Sequence, residues 1–243
     1  MILLWIISLL IKDASIIDIF WGIGFVLINT YLAYKLGFNN LTEKQIIFFI
    51  LVNVWGLRLA GYLAIRSLGK GEDYRYKNWR DQYGNSWWWL SFFRVFMLQG
   101  LIMVVIAALF IPVYLDGSIL SGIHYLGIVL WLVGFTFEAG GDLQLMIFKS
   151  NPANQGKVLN TGFWKYTRHP NYFGDAMIWW GYFLFAATYP AGFLFIVCPI
   201  IMTYFLLNIS GVAMLEKSLV NTKPKYQEYI RKTSSFFPWW PKQ

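Results

Sequence analysis

An all-α, polytopic integral membrane protein is the fold class this sequence predicts, and three observations predict it. The hydrophobic set makes up 58% of the 243 residues, aromatic residues 20% and charged residues only 13%. A soluble domain carries roughly a quarter charged residues, so a water-facing surface cannot be assembled from this supply. The apolar residues also fall into long stretches, and inside a bilayer a helix satisfies its own backbone hydrogen bonds. These features exclude an ordinary soluble domain, a disordered chain and a nucleic-acid-binding domain, despite a formal net charge of +8.

Seven apolar stretches follow one another at about 1–11, 14–36, 45–66, 92–114, 119–148, 172–188 and 191–215. The first rises only about 16 Å, roughly half a hydrocarbon core. It reads as a half-span, a clipped start, or one side of a break at Lys12–Asp13. A signal peptide is disfavoured, because no basic region precedes the run and no small-residue cleavage site follows it. The fifth is longer than a bilayer needs, so its C-terminal end is expected to project. A short polar helix is expected at Tyr226–Arg231, followed by the aromatic run Phe236-Phe237-Pro238-Trp239-Trp240-Pro241. Such rings, like Trp87-Trp88-Trp89, favour the membrane interface. Without an internal repeat, a low-complexity region or a soluble segment, residues 1–243 read as a single domain.

Charge orients the bundle. Sixteen of the 20 lysines and arginines fall in the segments 66–94 and 149–168 and in the tail from Lys217, whereas the loops at 115–118 and 189–190 carry only Asp116. Positive-inside logic places all three basic segments and the C-terminus in the cytoplasm, and the N-terminus outside if the first stretch spans. In a bacterium this is the inner membrane. The single cysteine, Cys198, permits no intrachain disulfide, and with only His124 and His169 besides, no metal site is expected.

Ionisable groups within spans are costly and usually functional. On the second stretch Asp18, Gly22, Phe25 and Asn29 share a face with Trp21 beside it; on the third, Trp55, Arg58, Tyr62 and Arg66 share a broad face. Glu138, Asp142 and Lys149 line one stripe of the fifth, and Asn171 and Asp175 open the sixth. The plainer account is packing, with Asp18 paired to Arg58 and Asp142 to Lys149. For Asn29 and Asn53 packing is the better account, and His124 is assigned no role. Gly22 and Gly24 follow no strand and are not a dinucleotide fingerprint.

Segment 142–175 is dense in polar residues and backbone breakers, with Asp142, Gln144, Lys149, Asn154, Lys157, Tyr166, Arg168, His169, Pro170, Asn171, Tyr172 and Asp175. A helix starting at Pro170 exposes backbone N–H groups beside Arg168 and His169, which suits an anion. The set suits a polyphosphate cofactor entering from the cytoplasm.

Tyr166-Thr-Arg168-His169-Pro170-Asn171-Tyr172-Phe-Gly174-Asp175 resembles the C-terminal signature of the membrane superfamily of steroid 5-alpha-reductases, sterol reductases and isoprenylcysteine carboxyl methyltransferases. Asp18-Ile-Phe-Trp21-Gly22-Ile-Gly24-Phe25, Trp55-Gly-Leu-Arg58-Leu, Gly71-Glu72-Asp73-Tyr74-Arg75-Tyr76, Gly211-Val-Ala-Met-Leu215-Glu216-Lys217 and the Phe-Phe-Pro ending narrow it. They resemble a bacterial branch of unknown function allied to 5-alpha-reductase. The resemblance implies about seven transmembrane helices, cytoplasmic loops closing over NADPH, and a lipid-accessible substrate cavity among the first four helices.

Carried over by motif, Asn171 and Asp175 match the family's cofactor-binding Asn and Glu, Asp142 its helix-five Asp, Lys149 a basic position and Tyr166 the Tyr ahead of the motif. Arg58 and Arg66 match cofactor-facing arginines. Glu138, Asn154, Lys157, Arg168, His169 and Tyr172 complete the cofactor set; Trp21, Phe25 and Trp55 are substrate candidates. The steroid enzymes' helix-two Gln-Glu pair is replaced by Phe20-Trp21, which leaves Asp18 or Tyr62 as the catalytic donor.

The expected activity is NADPH-dependent reduction of a carbon–carbon double bond conjugated to a carbonyl in a lipophilic substrate, with the enolate stabilised by hydrogen bonding. The first rival is a methyltransferase using S-adenosylmethionine, against which Leu215-Glu216 stands in place of that group's Glu-Glu. The second is a seven-helix protein without enzymatic activity.

Overall fold

The apolar stretches fold as helices whose ends are set by local chemistry. A computed structural model describes residues 1–67, 69–209, 212, 216 and 226–242, and every regular element among these is helical. The motif residues 211, 213–215 and 217, the end of the 191–215 stretch, and Lys217, Lys223 and Lys225 lie outside the described residues.

Helix α1 (Ile2–Ile11) closes at Lys12, whose φ of 57° is left-handed. Asp13 then accepts a hydrogen bond from the Ser15 N–H at 2.8 Å as α2 (Ile16–Leu36) begins. The chain therefore breaks at Lys12–Asp13. Ten residues rise about 15 Å, too little to span. Helix α3 covers Glu43–Ser67, and α4 runs over Tyr74–Leu115 with a 3-10 turn at Gly84–Ser86 and a π-helical turn at Phe92–Met97. Hydropathy marks only the apolar second half of α4. Its polar start follows from Asp73, which caps the helix by accepting from the Arg75 N–H at 3.0 Å.

Helix α5 (Gly122–Ser150) has 29 residues, roughly 44 Å of rise, and exceeds a hydrocarbon core as expected. Helix α6 (Pro170–Ala186) has 17 residues, and α7 covers Gly192–Ile209. Five of these helices, α2, α3, α4, α5 and α7, are long and apolar enough to cross a bilayer, which fits a multi-pass membrane protein. Leu27, Leu101, Val129 and Ile200 are exposed along them, as lipid contact requires. The C-terminal helix α8 (Tyr226–Lys232) is the short polar helix predicted.

The chain forms two compact units, Met1–Tyr114 and Leu115–Gln243. In the first, α2 crosses α3 at Gly22 and Gly56. A Cβ on Gly22 would lie 2.3 Å from the Gly56 carbonyl oxygen, so close backbone approach explains the glycine. The rings of Phe25, Trp55, Phe48 and Phe110 pack together in this unit, all fully buried. Asn29 and Asn53 both donate to the Phe49 carbonyl, and Tyr114 donates to Asn29 at 2.7 Å, so their role is packing.

In the second unit α5 and α6 pack antiparallel along three close contacts, Gly127 with Gly181, Gly134 with Gly174, and Gly141 with Pro170. The α5 glycines recur every seven residues, the seam period of a left-handed helix pair. His124 caps α5, accepting from the Ser121 N–H at 2.9 Å through Nδ1, while Nε2 lies 3.1 Å from the Thr188 hydroxyl.

Candidate functional site

Two polar clusters emerge in the second unit and one in the first. At the end of the α5–α6 seam that carries the Arg-His-Pro motif, the missing Cβ atoms of Gly134, Gly141 and Gly174 bring the helix backbones together. Glu138, Asp142 and Asp175 are buried there, and Asn171 donates through Nδ2 to the Asp142 carboxylate at 3.1 Å. The carbonyl oxygen Oδ1 of Asn171 is buried with no hydrogen-bond partner among the described residues. A buried amide oxygen of this kind costs about 1–3 kcal/mol unless something donates to it. The structure thus unites Glu138, Asp142, Asn171 and Asp175, all four expected in one site.

The second cluster ties the Arg-His-Pro motif to the C-terminal tail. Arg168 Nε donates to Glu216 at 2.8 Å, and Nη1 donates to the carbonyls of Ile230 (3.0 Å) and Thr233. Arg168 also hydrogen-bonds to the Tyr226 hydroxyl. Its backbone N–H donates to Ser234 at 2.9 Å, and Thr167 and Tyr229 tie the same loop to the tail and to Trp164. His169 Nε2 lies 3.1 Å from Glu216, and its ring stacks on Tyr172. Burial pushes the Glu216 carboxyl up, but hydrogen bonds and charge from His169 and Arg168 outweigh it and hold it at about 2. Burial, then the charge of Glu216, pushes the Tyr226 hydroxyl up to about 12. Arg168 and His169 were expected to face a phosphate. They instead close a tail clasp, because the guanidinium's donors are taken by Glu216, Tyr226 and two carbonyls.

The remaining candidates of this unit divide. Tyr166 faces the tail, its ring edge-on to Trp240 at 5.3 Å, while Lys149 and Lys157 are exposed. Asn154 donates to the Phe148 carbonyl at 3.0 Å, folding the α5–α6 loop back on its helix.

In the first unit the paired charges differ from the expectation. Asp18 meets Arg75 at 2.6 Å rather than Arg58, and Tyr76 donates to it at 2.6 Å. The reason is tertiary: Glu72 accepts from Ala14 N–H and from Arg80, both at 2.8 Å, docking the start of α4 on the start of α2. Asp73 is held below the usual carboxylate range, since the adjoining Arg75 outweighs its burial. Asp18 is therefore a hydrogen-bond acceptor in an ion pair, not a donor aimed at a substrate. Trp21 contacts Phe25 and Phe25 contacts Trp55, so these three do lie together, though Phe25 and Trp55 have no exposed surface. Arg58 and Tyr62 are half-buried on α3, and the Arg66 guanidinium lies over the Tyr62 ring at 5.8 Å.

Sequence reasoning passed over Arg75, Tyr76 and Glu216 as site residues. Arg75 and Tyr76 lay within a quoted motif, but nothing in one-dimensional spacing showed that they would meet Asp18.

The family described as "Protein of unknown function (DUF1295)" matches residues 4–233. A relative from Schizosaccharomyces pombe, described as uncharacterized protein C594.04c, is 26% identical over an alignment covering 97% of this chain and 75% of its own length. No solved structure matches the chain significantly. The chain belongs to the DUF1295 family.

Proposed function

We propose that this DUF1295 protein is an NADPH-dependent membrane oxidoreductase of the steroid 5-alpha-reductase superfamily. Its reaction would be reduction of a carbon–carbon double bond conjugated to a carbonyl in a lipophilic, steroid-, isoprenoid- or fatty-acyl-like substrate. The observation that carries this reading is the buried Asp142–Asn171 pair with Asn171 Oδ1 lacking a donor, beside buried Asp175 and Glu138. Such a set fits the neutral half of a dinucleotide, whose carboxamide and ribose hydroxyls donate and accept hydrogen bonds.

NADPH would supply the hydride. Asn171 would accept from the ligand, and Asp142, already receiving an Asn171 N–H, would hold that amide in orientation. Lys149 and Lys157, exposed at the end of α5 and on the loop after it, would contribute positive charge toward the phosphates. Between the two donor candidates, Tyr62 takes the role of hydrogen bonding to a developing enolate, since Asp18 accepts from Arg75 and Tyr76. The proposal extends to about seven helices in the membrane, with the basic segments and the C-terminus in the cytoplasm.

The methyltransferase reading keeps one observation in its favour: Glu216, the acid ahead of the tail helix, bonds Arg168 and His169 of the shared motif. Calorimetry on the detergent-purified chain separates the two. We expect NADPH binding that falls at least tenfold in Asn171→Ala and in Asp175→Ala, with unfolding temperature retained. Selective binding of S-adenosylmethionine overturns the reductase in favour of the methyltransferase, and binding of neither overturns both.

A further inference from the structure

A cleft of about 570 Å³ lies between the C-terminal turns of α5 and the loop that follows it. Its volume is that of a small-molecule site. Ile147, Phe148 and Leu159 give it an apolar wall, and Gln144, Asn151 and Asn154 supply three amides; among the described residues no charged side chain lines it. Each amide is anchored at one end, and the anchor fixes which end is which. The Gln144 carbonyl accepts from the Phe163 N–H at 3.0 Å, leaving its amino group. Asn154 donates to the Phe148 carbonyl at 3.0 Å, leaving its carbonyl oxygen. The Asn151 carbonyl accepts from the Ala153 N–H at 3.0 Å, leaving its amino group. The three free ends have no hydrogen-bond partner among the described residues.

Gly162 closes the loop on Gln144. Its φ is +61°, and a Cβ there would lie 2.5–2.7 Å from the Gln144 amide. A glycine is needed for that approach, and it holds Gln144 against the loop.

We propose that this cleft takes the adenine base of a dinucleotide, an assignment that rests on the NADPH reading above. A neutral lining with two amino donors and one carbonyl acceptor matches a flat base that offers ring-nitrogen acceptors and one exocyclic amine. Asn and Gln amides read that edge of adenine in nucleic-acid complexes for the same reason. The apolar wall meets the ring face. The nicotinamide end is the poorer occupant, because hydride transfer calls for a site closed to water, whereas Asn151, Thr161 and Gly162 are exposed at this cleft. Lys149, adjacent in sequence to the lining residues Phe148 and Ser150, and Lys157 on the loop are the exposed basic residues that flank the cleft in sequence.

The test is calorimetry on the full chain in detergent, with the two halves of the cofactor offered separately. The probes are 2′-phosphoadenosine diphosphate ribose and reduced nicotinamide mononucleotide. Gln144→Leu is expected to weaken the adenine half about tenfold and leave the nicotinamide half unchanged, and Gly162→Ala to act in the same direction by displacing Gln144. Exposed Asn151→Ala serves the same comparison if Gln144→Leu fails to fold. Replacing NADPH by its hypoxanthine analogue should cost wild type several-fold and an Asn154→Leu variant nothing further. Adenine-half binding indifferent to all these substitutions, or equal weakening of both halves, overturns the assignment while NADPH binding that depends on Asn171 leaves the reductase standing. Wild-type protein that binds no NADPH overturns both.

Discussion

The Asp18 cluster of the first unit and the Asn171 cluster of the second handle their polar groups in opposite ways. In the first, Asp18 is met by a guanidinium and a phenol at 2.6 Å each, and Gln99 donates to that phenol at 3.2 Å. Glu72 and Arg80 close beside it. In the second, Asn171 spends its amino group on Asp142 and keeps a buried carbonyl oxygen without a donor. A closed network rigidifies what it joins, whereas an unsatisfied buried acceptor calls for a ligand. Asp18 belongs to the closed kind, and the unsatisfied acceptor lies on the α5–α6 seam.

The largest effect should come from breaking that seam. A Cβ on Gly174 would lie 2.4 Å from both the Glu138 nitrogen and the Gly134 carbonyl oxygen. Gly174→Ala should therefore cost about 1–3 kcal/mol of stability and scatter the acid–amide set, whereas Gly122→Ala, which meets nothing within 4 Å, should be near neutral. Thermal unfolding in detergent with NADPH binding reads both; equal unfolding temperatures would show that the seam does not depend on the missing Cβ of Gly174.

Next comes the closed clasp. A double-mutant cycle on Asp18→Asn and Arg75→Gln should give a coupling of about 1–2 kcal/mol, set between exposed and buried pairs. The relevant side chains are 20% and 26% exposed. Unfolding of the single and double variants measures it. Additive losses would mean the pair is incidental, and a variant that unfolds normally yet loses turnover would return Asp18 to catalysis.

The smallest effect concerns the tail. The Glu216 carboxyl is depressed to about 2, below an unfolded glutamate at about 4.3. Its contribution is therefore complete above that unfolded value and disappears as pH falls toward 2. Hydrogen-exchange protection of Arg168, Thr233 and Trp239 amides should be several-fold higher in wild type than in Glu216→Gln at pH 6. The gap should close as the pH drops below 4. Equal protection of the two proteins at pH 6 would show that the tail is held without this carboxylate.

Much of the architecture was legible in one dimension. Long apolar stretches with few charges read directly as helices, since a continuous apolar run in lipid satisfies its backbone within itself only as a helix, and the break at Lys12–Asp13 and the helix at Pro170 were visible as local chemistry. The start of α4 was not, because its first turns are polar and are held by a cap and by contacts with α2. The Arg-His-Pro motif was recognisable, yet what Arg168 touches depends on a tail more than 60 residues away. Glycines spaced by seven on α5 could have announced the seam, but their partners Gly174 and Gly181 are fixed only by antiparallel packing.

Composition and charge by themselves determined a helical membrane chain, a short first helix, basic segments gathered away from the apolar runs, and a short list of polar groups worth testing. Only the tertiary structure decided which of those groups pair. Asp18 took Arg75 over Arg58, Arg168 took Glu216 over an open position, and Asn171 took Asp142 with one oxygen left over. The reason is that helical periodicity assigns a residue to a face, whereas hydrogen bonding is decided within about 3 Å by which backbones approach, and here glycines set that approach.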